Sequence, residues 1–222
     1  MDRTLVEQMV ARVLKELAAP RERPADPEAG EKAIPVGVSS RHIHLSREHL
    51  ELLFGEGFEL TRARELTQVG EFAAAETATL VGPKGVLRGV RILGPVRSFT
   101  QAEISRTDGF QLGIAPPLRD SGRIEASAGV AVVGPRGAVT LAEGVICAAR
   151  HLHMSEADAA AYGVRDGERV AVRAPGPRAV TFENVLVRVS PDFRLEFHID
   201  TDEANAAGLN SGDLVSLKRG GG

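Results

Sequence analysis

Arg41-His42-Ile43-His44-Leu45-Ser46 returns later in the chain as Arg150-His151-Leu152-His153-Met154-Ser155. In a β-strand, residues two apart point to the same face, so each hexapeptide sets two imidazoles side by side and turns Ile43 or Leu152 the other way. A second pair of matching stretches, VGPKG at 81–85 and VGPRG at 133–137, supports an internal duplication. A looser unit occurs four times: a strand with polar ligand-type residues, a Ser or Thr, acidic residues, a short helix or turn, then Gly. Its copies start near His42, Arg97, His151 and His198, and the last two end in Gly163–Gly167 and Gly208–Gly212. The expected fold is mainly β with short helices, built as two similar small β-barrel domains.

Outward from these motifs the text keeps that character. Short β-branched runs broken by Gly and Pro lie at 34–38, 78–81, 86–93, 130–133, 144–148, 169–173, 185–189 and 214–217. Helical patterns are brief, at 46–54 and 155–162, and Ser155 with Asp158 makes a good helix N-cap pair. Barrel domains are expected over 34–120 and 121–219, with strands exchanged across the boundary because the motif order differs between halves. The chain opens differently. Over 1–19, Leu5, Val6, Met9, Val10, Val13, Leu14 and Leu17 recur at three- and four-residue spacing, the pattern of an amphipathic helix. Residues 20–33 read as a Pro- and charge-rich linker with almost nothing apolar to bury. Such a helix must dock: on its own body, within a homo-oligomer, or on another protein.

Composition narrows the function classes. The 222 residues carry 27 Lys+Arg against 30 Asp+Glu, a formal charge of −3, with one Tyr and no Trp. That balance argues against a partner held by its phosphates and leaves few platforms for stacking bases, so no nucleic acid is expected. No apolar run approaches the length of a membrane helix, and no membrane role is expected. The single Cys147 excludes an internal disulfide framework and a Cys-rich zinc finger, and suits a reducing, cytoplasmic setting.

The histidine pairs carry the chemistry. Each is a strand-borne two-histidine clamp that needs only one or two further ligands to close a zinc site. Glu103 lies in the repeat copy that lacks histidine, and His198 holds the equivalent place in the fourth copy. Two sets of three protein ligands with an open position describe catalytic zinc better than structural zinc. His49 faces no evident partner and reads as a surface histidine. Arg97 takes the start of its repeat unit, where Arg41 and Arg150 stand in others, and a guanidinium there is a natural anchor for phosphate.

At these residues the sequence resembles the phosphate propanoyltransferases of bacterial microcompartments. The resemblance is carried by VGVSSRHIHLS at 36–46, PVRSFTQAE at 95–103, RHLHMS at 150–155 and FHIDTDEAN at 197–205. It implies a two-barrel fold with two zinc ions per chain, one on His42, His44 and Glu103, the other on His151, His153 and His198. It places phosphate on Arg97 and coenzyme A near Ser39, Arg91 and Asn205, with a further basic contact expected at Arg64. It implies an acyltransferase that interconverts a short-chain acyl-CoA plus phosphate with acyl phosphate plus CoA. It also implies that residues 1–19 address the protein to shell or core proteins of a microcompartment, placing it in the lumen. With no serine or cysteine nucleophile motif, direct attack of phosphate on the thioester is the expected route, and Cys147 lacks a paired base. A dinuclear zinc hydrolase and a non-catalytic microcompartment scaffold are the competing classes.

Overall fold

The computed structural model describes residues 3–18 and 32–218. Among the described residues there are five helices, four of them short, and fourteen strands. The first part runs α1 (Arg3–Ala18), β1 (Ala33–Ser39), β2 (His42–His44), α2 (Arg47–Phe54), β3 (Arg62–Glu65), β4 (Phe72–Val81), β5 (Val86–Gly94), β6 (Gln101–Glu103) and α3 (Arg106–Leu112). The second part runs β7 (Leu118–Arg119), β8 (Ala128–Val133), β9 (Ala138–Ala148), β10 (His151–Met154), α4 (Glu156–Tyr162), β11 (Arg169–Ala174), β12 (Val180–Val189), β13 (Glu196–Asp200), α5 (Thr201–Ala207) and β14 (Leu214–Leu217).

The strands close into two six-stranded barrels. In the first, β2 pairs with β5, β5 with β4, β4 with β8, β8 with β9, β9 with β6, and β6 returns to β2. Strands β3 and β7 extend it at β4 and β9. The second runs β1-β13-β10-β12-β11-β14 and closes on β1. The expected two-barrel, mainly β fold is therefore what the chain adopts. The division after residue 120 is not where the sheets divide. β1 pairs with β13 and β14 of the second barrel, whereas β8 and β9 complete the first. Strand pairing across the chain outweighs sequence proximity here, because a barrel edge left open exposes a row of unpaired backbone groups.

The alternation written in the hexapeptides sorts side chains between core and cleft. Ile43 is fully buried in the first barrel's core with Leu80, Ile92 and Val145. Leu152 is fully buried in the second with Ile34, Val187 and Phe197. Each barrel core is thus independent and apolar, and the histidines lie on the opposite faces of the same strands.

The duplicated VGP(K/R)G stretches are hairpin turns that close helix C-termini. Lys84 N–H donates to Leu112 O at the end of α3, and Arg136 N–H donates to Leu53 O near the end of α2, each at 3.0 Å. These donors satisfy carbonyls that a helix end leaves open. The approach is close: a Cβ on Gly82 would stand 2.3 Å from Leu112 O, and one on Gly134 2.5 Å from Leu53 O. Only glycine fits at either place.

The N-terminal segment forms a helix, α1, in which Leu5, Val6, Met9, Val10, Val13 and Leu14 are all exposed. The burial of Leu17 and the linker expected over 20–33, as far as residue 31, lie outside the described residues. Among those residues, no helix is long and apolar enough to cross a membrane.

Candidate metal centre

Four helix N-caps give the internal repeat its true register. Ser46, Ser105, Ser155 and Asp200 each accept a backbone N–H at the start of α2, α3, α4 and α5. Counting back four and two residues from each cap gives His42 and His44, Gln101 and Glu103, His151 and His153, Glu196 and His198. Antiparallel pairing then sets His42 opposite Glu103 and His44 opposite Gln101 in one barrel. In the other it sets His151 opposite His198 and His153 opposite Glu196. Each barrel therefore presents a quartet of polar positions on one face.

Three members of each quartet converge. The ligand atoms of His42, His44 and Glu103 lie within 4.8 Å of one another, as do those of His151, His153 and His198. Both groups line one cleft of about 960 Å³ between the barrels. The structure brings together all six residues that the sequence singled out as ligands.

Several features suit these groups to a divalent metal. His44 Nδ1, both ring nitrogens of His153, and His198 Nε2 are buried without a hydrogen-bond partner. Orphaned buried nitrogens are costly unless something else takes their lone pairs. His42 Nδ1 lies 2.8 Å from Ser40 O and His151 Nδ1 lies 2.9 Å from Ala149 O. A carbonyl can only accept, so the proton sits on Nδ1 and Nε2 presents its lone pair, the usual arrangement of a metal-binding histidine. Burial and neighbouring imidazoles pull the pKa of His44 down to about 3, of His151 to about 4 and of His153 to about 2. These rings are neutral at physiological pH, as ligands must be.

Glu103 is held by residues that the sequence did not reveal as part of the site. Its Oε1 accepts from Gln101 Nε2 and from Ser121 Oγ, both at 2.6 Å, and its Oε2 stands 3.5 Å from His42 Nε2. Burial opposes ionisation of this carboxyl, but the electrostatics of the adjoining His42 ring and the Ser121 hydrogen bond outweigh it and leave the pKa below the ordinary value. Phe193 stacks on His153 with 4.2 Å between ring centres. Gln101 was open to detection by aligning the copies on their caps, whereas Ser121 and Phe193 come from loops outside the repeat and leave no periodic signal.

Two expectations need correction. Arg97 is not the counterpart of Arg41 and Arg150, since the cap register puts Thr100 in that place. The two motif arginines instead do matching structural work: Arg41 pairs with Asp108 at 2.8 Å and Arg150 with Glu203 at 2.6 Å, each binding the third residue after a sister cap. Arg97 reaches the cleft by another route, through a bridge between its backbone and the segment Leu45–Ser46, and it pairs with Glu71 at 3.2 Å. His49 is half-buried rather than a surface residue, because its Nδ1 lies 2.7 Å from Thr100 Oγ1 and ties α2 to the segment before β6. Asn205 is exposed on α5 and stands outside the residues that line the cleft.

Ser39, Arg64 and Arg91 do line the cleft, with Arg41, Arg97 and Arg188. Arg91 donates through one nitrogen to Ala74 O and Ala75 O, which orients the guanidinium. Cys147 is buried away from the cleft wall, with Sγ 3.4 Å from Asp200 Oδ2. Burial first, and the Asp200 charge second, push its thiol up to about 12. A thiol in that setting stays protonated and is a poor nucleophile.

Comparison with known proteins agrees with this arrangement. The family model for phosphate propanoyltransferase matches residues 35–210, a stretch that holds both histidine hexapeptides, Arg97, Glu103 and His198. The chain belongs to the phosphate propanoyltransferase family. A phosphate propanoyltransferase of Thermotoga maritima is 59% identical over 188 residues, covering 84% of this chain and 90% of that protein. Those of Priestia megaterium and Salmonella typhimurium are 48% and 50% identical, covering 98% and 95% of this chain and 97% and 95% of theirs.

Proposed function

We propose that the protein is a phosphate acyltransferase that interconverts a short-chain acyl-CoA plus phosphate with acyl phosphate plus CoA, at two zinc-binding groups facing one cleft. The observation that carries this reading is the convergence of two three-residue ligand groups, with orphaned imidazole nitrogens, in a cleft lined by five arginines. His42, His44 and Glu103 would hold one zinc and His151, His153 and His198 the other. Zinc bound there would supply Lewis acidity toward a thioester carbonyl and a soft partner for thiolate sulfur.

The remaining chemistry belongs to side chains of the chain itself. Arg97 presents a guanidinium suited to a tetrahedral dianion, while Glu71, already paired with it, is the carboxylate that phosphate must displace. Holding phosphate beside the bound thioester turns a two-body encounter into a positioned one. A phosphate oxygen attacks the carbonyl carbon, the carbon–sulfur bond breaks, and CoA leaves as the thiol after taking a proton. Ser39, Arg64 and Arg91 stand on the cleft wall where a phosphorylated cofactor would lie, against a chain whose overall charge is −3. No acyl-enzyme is needed, and the buried, high-pKa Cys147 is unsuited to forming one.

We also read residues 1–19 as an address for the lumen of a bacterial microcompartment, in line with the exposed apolar side chains of α1. The activity is tested by following free thiol from acetyl-, propanoyl- and butanoyl-CoA with and without phosphate. Phosphate-dependent release supports the transferase. Release at the same rate without phosphate would indicate a hydrolase, and no release would leave a scaffold.

A further inference from the structure

The two ligand groups differ in charge. With a divalent cation, the His42–His44–Glu103 group has a net charge of about +1, whereas three neutral imidazoles leave +2 on the other. The repeat register shows what stands in the vacant fourth place of the second quartet: Glu196, opposite His153 on β13. Its Oε2 lies 2.8 Å from His198 Nε2. This is a close carboxylate–imidazole contact without hydrogen-bond alignment, since the same nitrogen has no hydrogen-bond partner.

Glu196 is placed by the opposite barrel. Thr67 Oγ1 donates to its Oε1 at 2.9 Å and Gln68 Nε2 donates to its Oε2 at 3.3 Å, both from the segment between β3 and β4. Gln68 is buried and also clamps the backbone on either side of Arg194, donating to Arg194 O and accepting from Arg194 N–H. Gly37, the parallel-strand neighbour of His198, leaves the space: a Cβ there would come within 2.7 Å of the Glu196 carboxyl carbon.

We propose that Glu196 is the positioning carboxylate of the His151–His153–His198 group, held against His198 by Thr67 and Gln68, and that it sets the cation affinity of that group. The inference rests on the metal-binding reading above. Glu196 balances the charge of a cation on three imidazoles and restrains His198, so the second group binds as tightly as the carboxylate-containing first. Because its donors come from the first barrel, the two barrels must be correctly seated for the second group to bind well.

The test is a competitive zinc titration of the full chain, with thermal unfolding of each metal-free variant as a folding control. Glu196→Gln removes the charge and keeps the shape; Gly37→Ala keeps the charge and displaces the carboxyl. Both are expected to weaken one of two zinc sites about 10- to 100-fold, the scale for losing an outer partner of a ligand, and to leave the other site at parental affinity. Thr67→Val is expected to weaken the same site less. Two sites of parental affinity in both Glu196→Gln and Gly37→Ala would overturn the positioning role while leaving the dinuclear reading intact. Failure of the parent itself to bind two zinc ions would overturn that reading and the inference with it. If Glu196→Gln fails to fold, Gly37→Ala decides, because the three atoms nearest its methyl all belong to the Glu196 side chain.

Discussion

Replacing Arg97 by methionine separates binding of phosphate from everything else the cleft does. The Arg97 side chain is 28% exposed and its partner Glu71 35%, so their ion pair is partly solvated. Its loss is expected to cost no more than about 1 kcal/mol of stability, and Glu71 can rehydrate where it stands. In the transition state the same guanidinium faces the developing negative charge, and losing one such donor is worth roughly 3–4 kcal/mol, or about 10²- to 10³-fold in rate. Thiol release at saturating propanoyl-CoA, with phosphate varied, is therefore expected to show a large fall in kcat/KM for phosphate, with little change in Tm. Arg97→Lys, which keeps the charge but not the planar fork, should recover only part of the loss. If Arg97→Met kept kcat/KM for phosphate within about threefold of the parent, Arg97 would not be the phosphate anchor.

Other consequences follow from the same geometry. In the metal-free protein the pKa values of His44, His151 and His153 lie at about 3, 4 and 2, against 6.5 for a free imidazole. Below pH 6.5 the unfolded chain binds protons that the folded one refuses, so the Tm of the chelated protein should fall as pH falls from about 7 to 5. A flat or rising Tm would contradict it. Gly82→Ala would drive a methyl against Leu112 O and should cost roughly 1–3 kcal/mol, read as a Tm drop with zinc content unchanged. Cys147→Ala should leave turnover at the parental rate. Abolished turnover with zinc still bound would replace direct attack by an acyl-cysteine route.

The histidine pairs were legible because strand alternation is strict. Once 42–44 and 151–153 are read as strands, Ile43 and Leu152 must enter the cores and the imidazoles must share the other face. Glu103 and His198 were reachable by the repeat. Arg97 was reached through a false equivalence, because the copies were aligned on arginines rather than on helix caps. The cap register is the physically enforced one, since Ser46, Ser105, Ser155 and Asp200 each satisfy open N–H groups at a helix start. What the sequence concealed depends on closure of the barrels. Ser121 swings from a loop onto Glu103, and the pair Thr67–Gln68 reaches across to Glu196. Such contacts join residues far apart in the chain and follow no period.

The central claim, acyl transfer at two metal-binding groups, is tested most directly by assaying one preparation before chelation, after it, and after zinc is restored. The account predicts phosphate-dependent thiol release from propanoyl-CoA that is lost with the metal and returns with about two zinc ions per chain. Undiminished phosphate-dependent release from the fully chelated protein would contradict it.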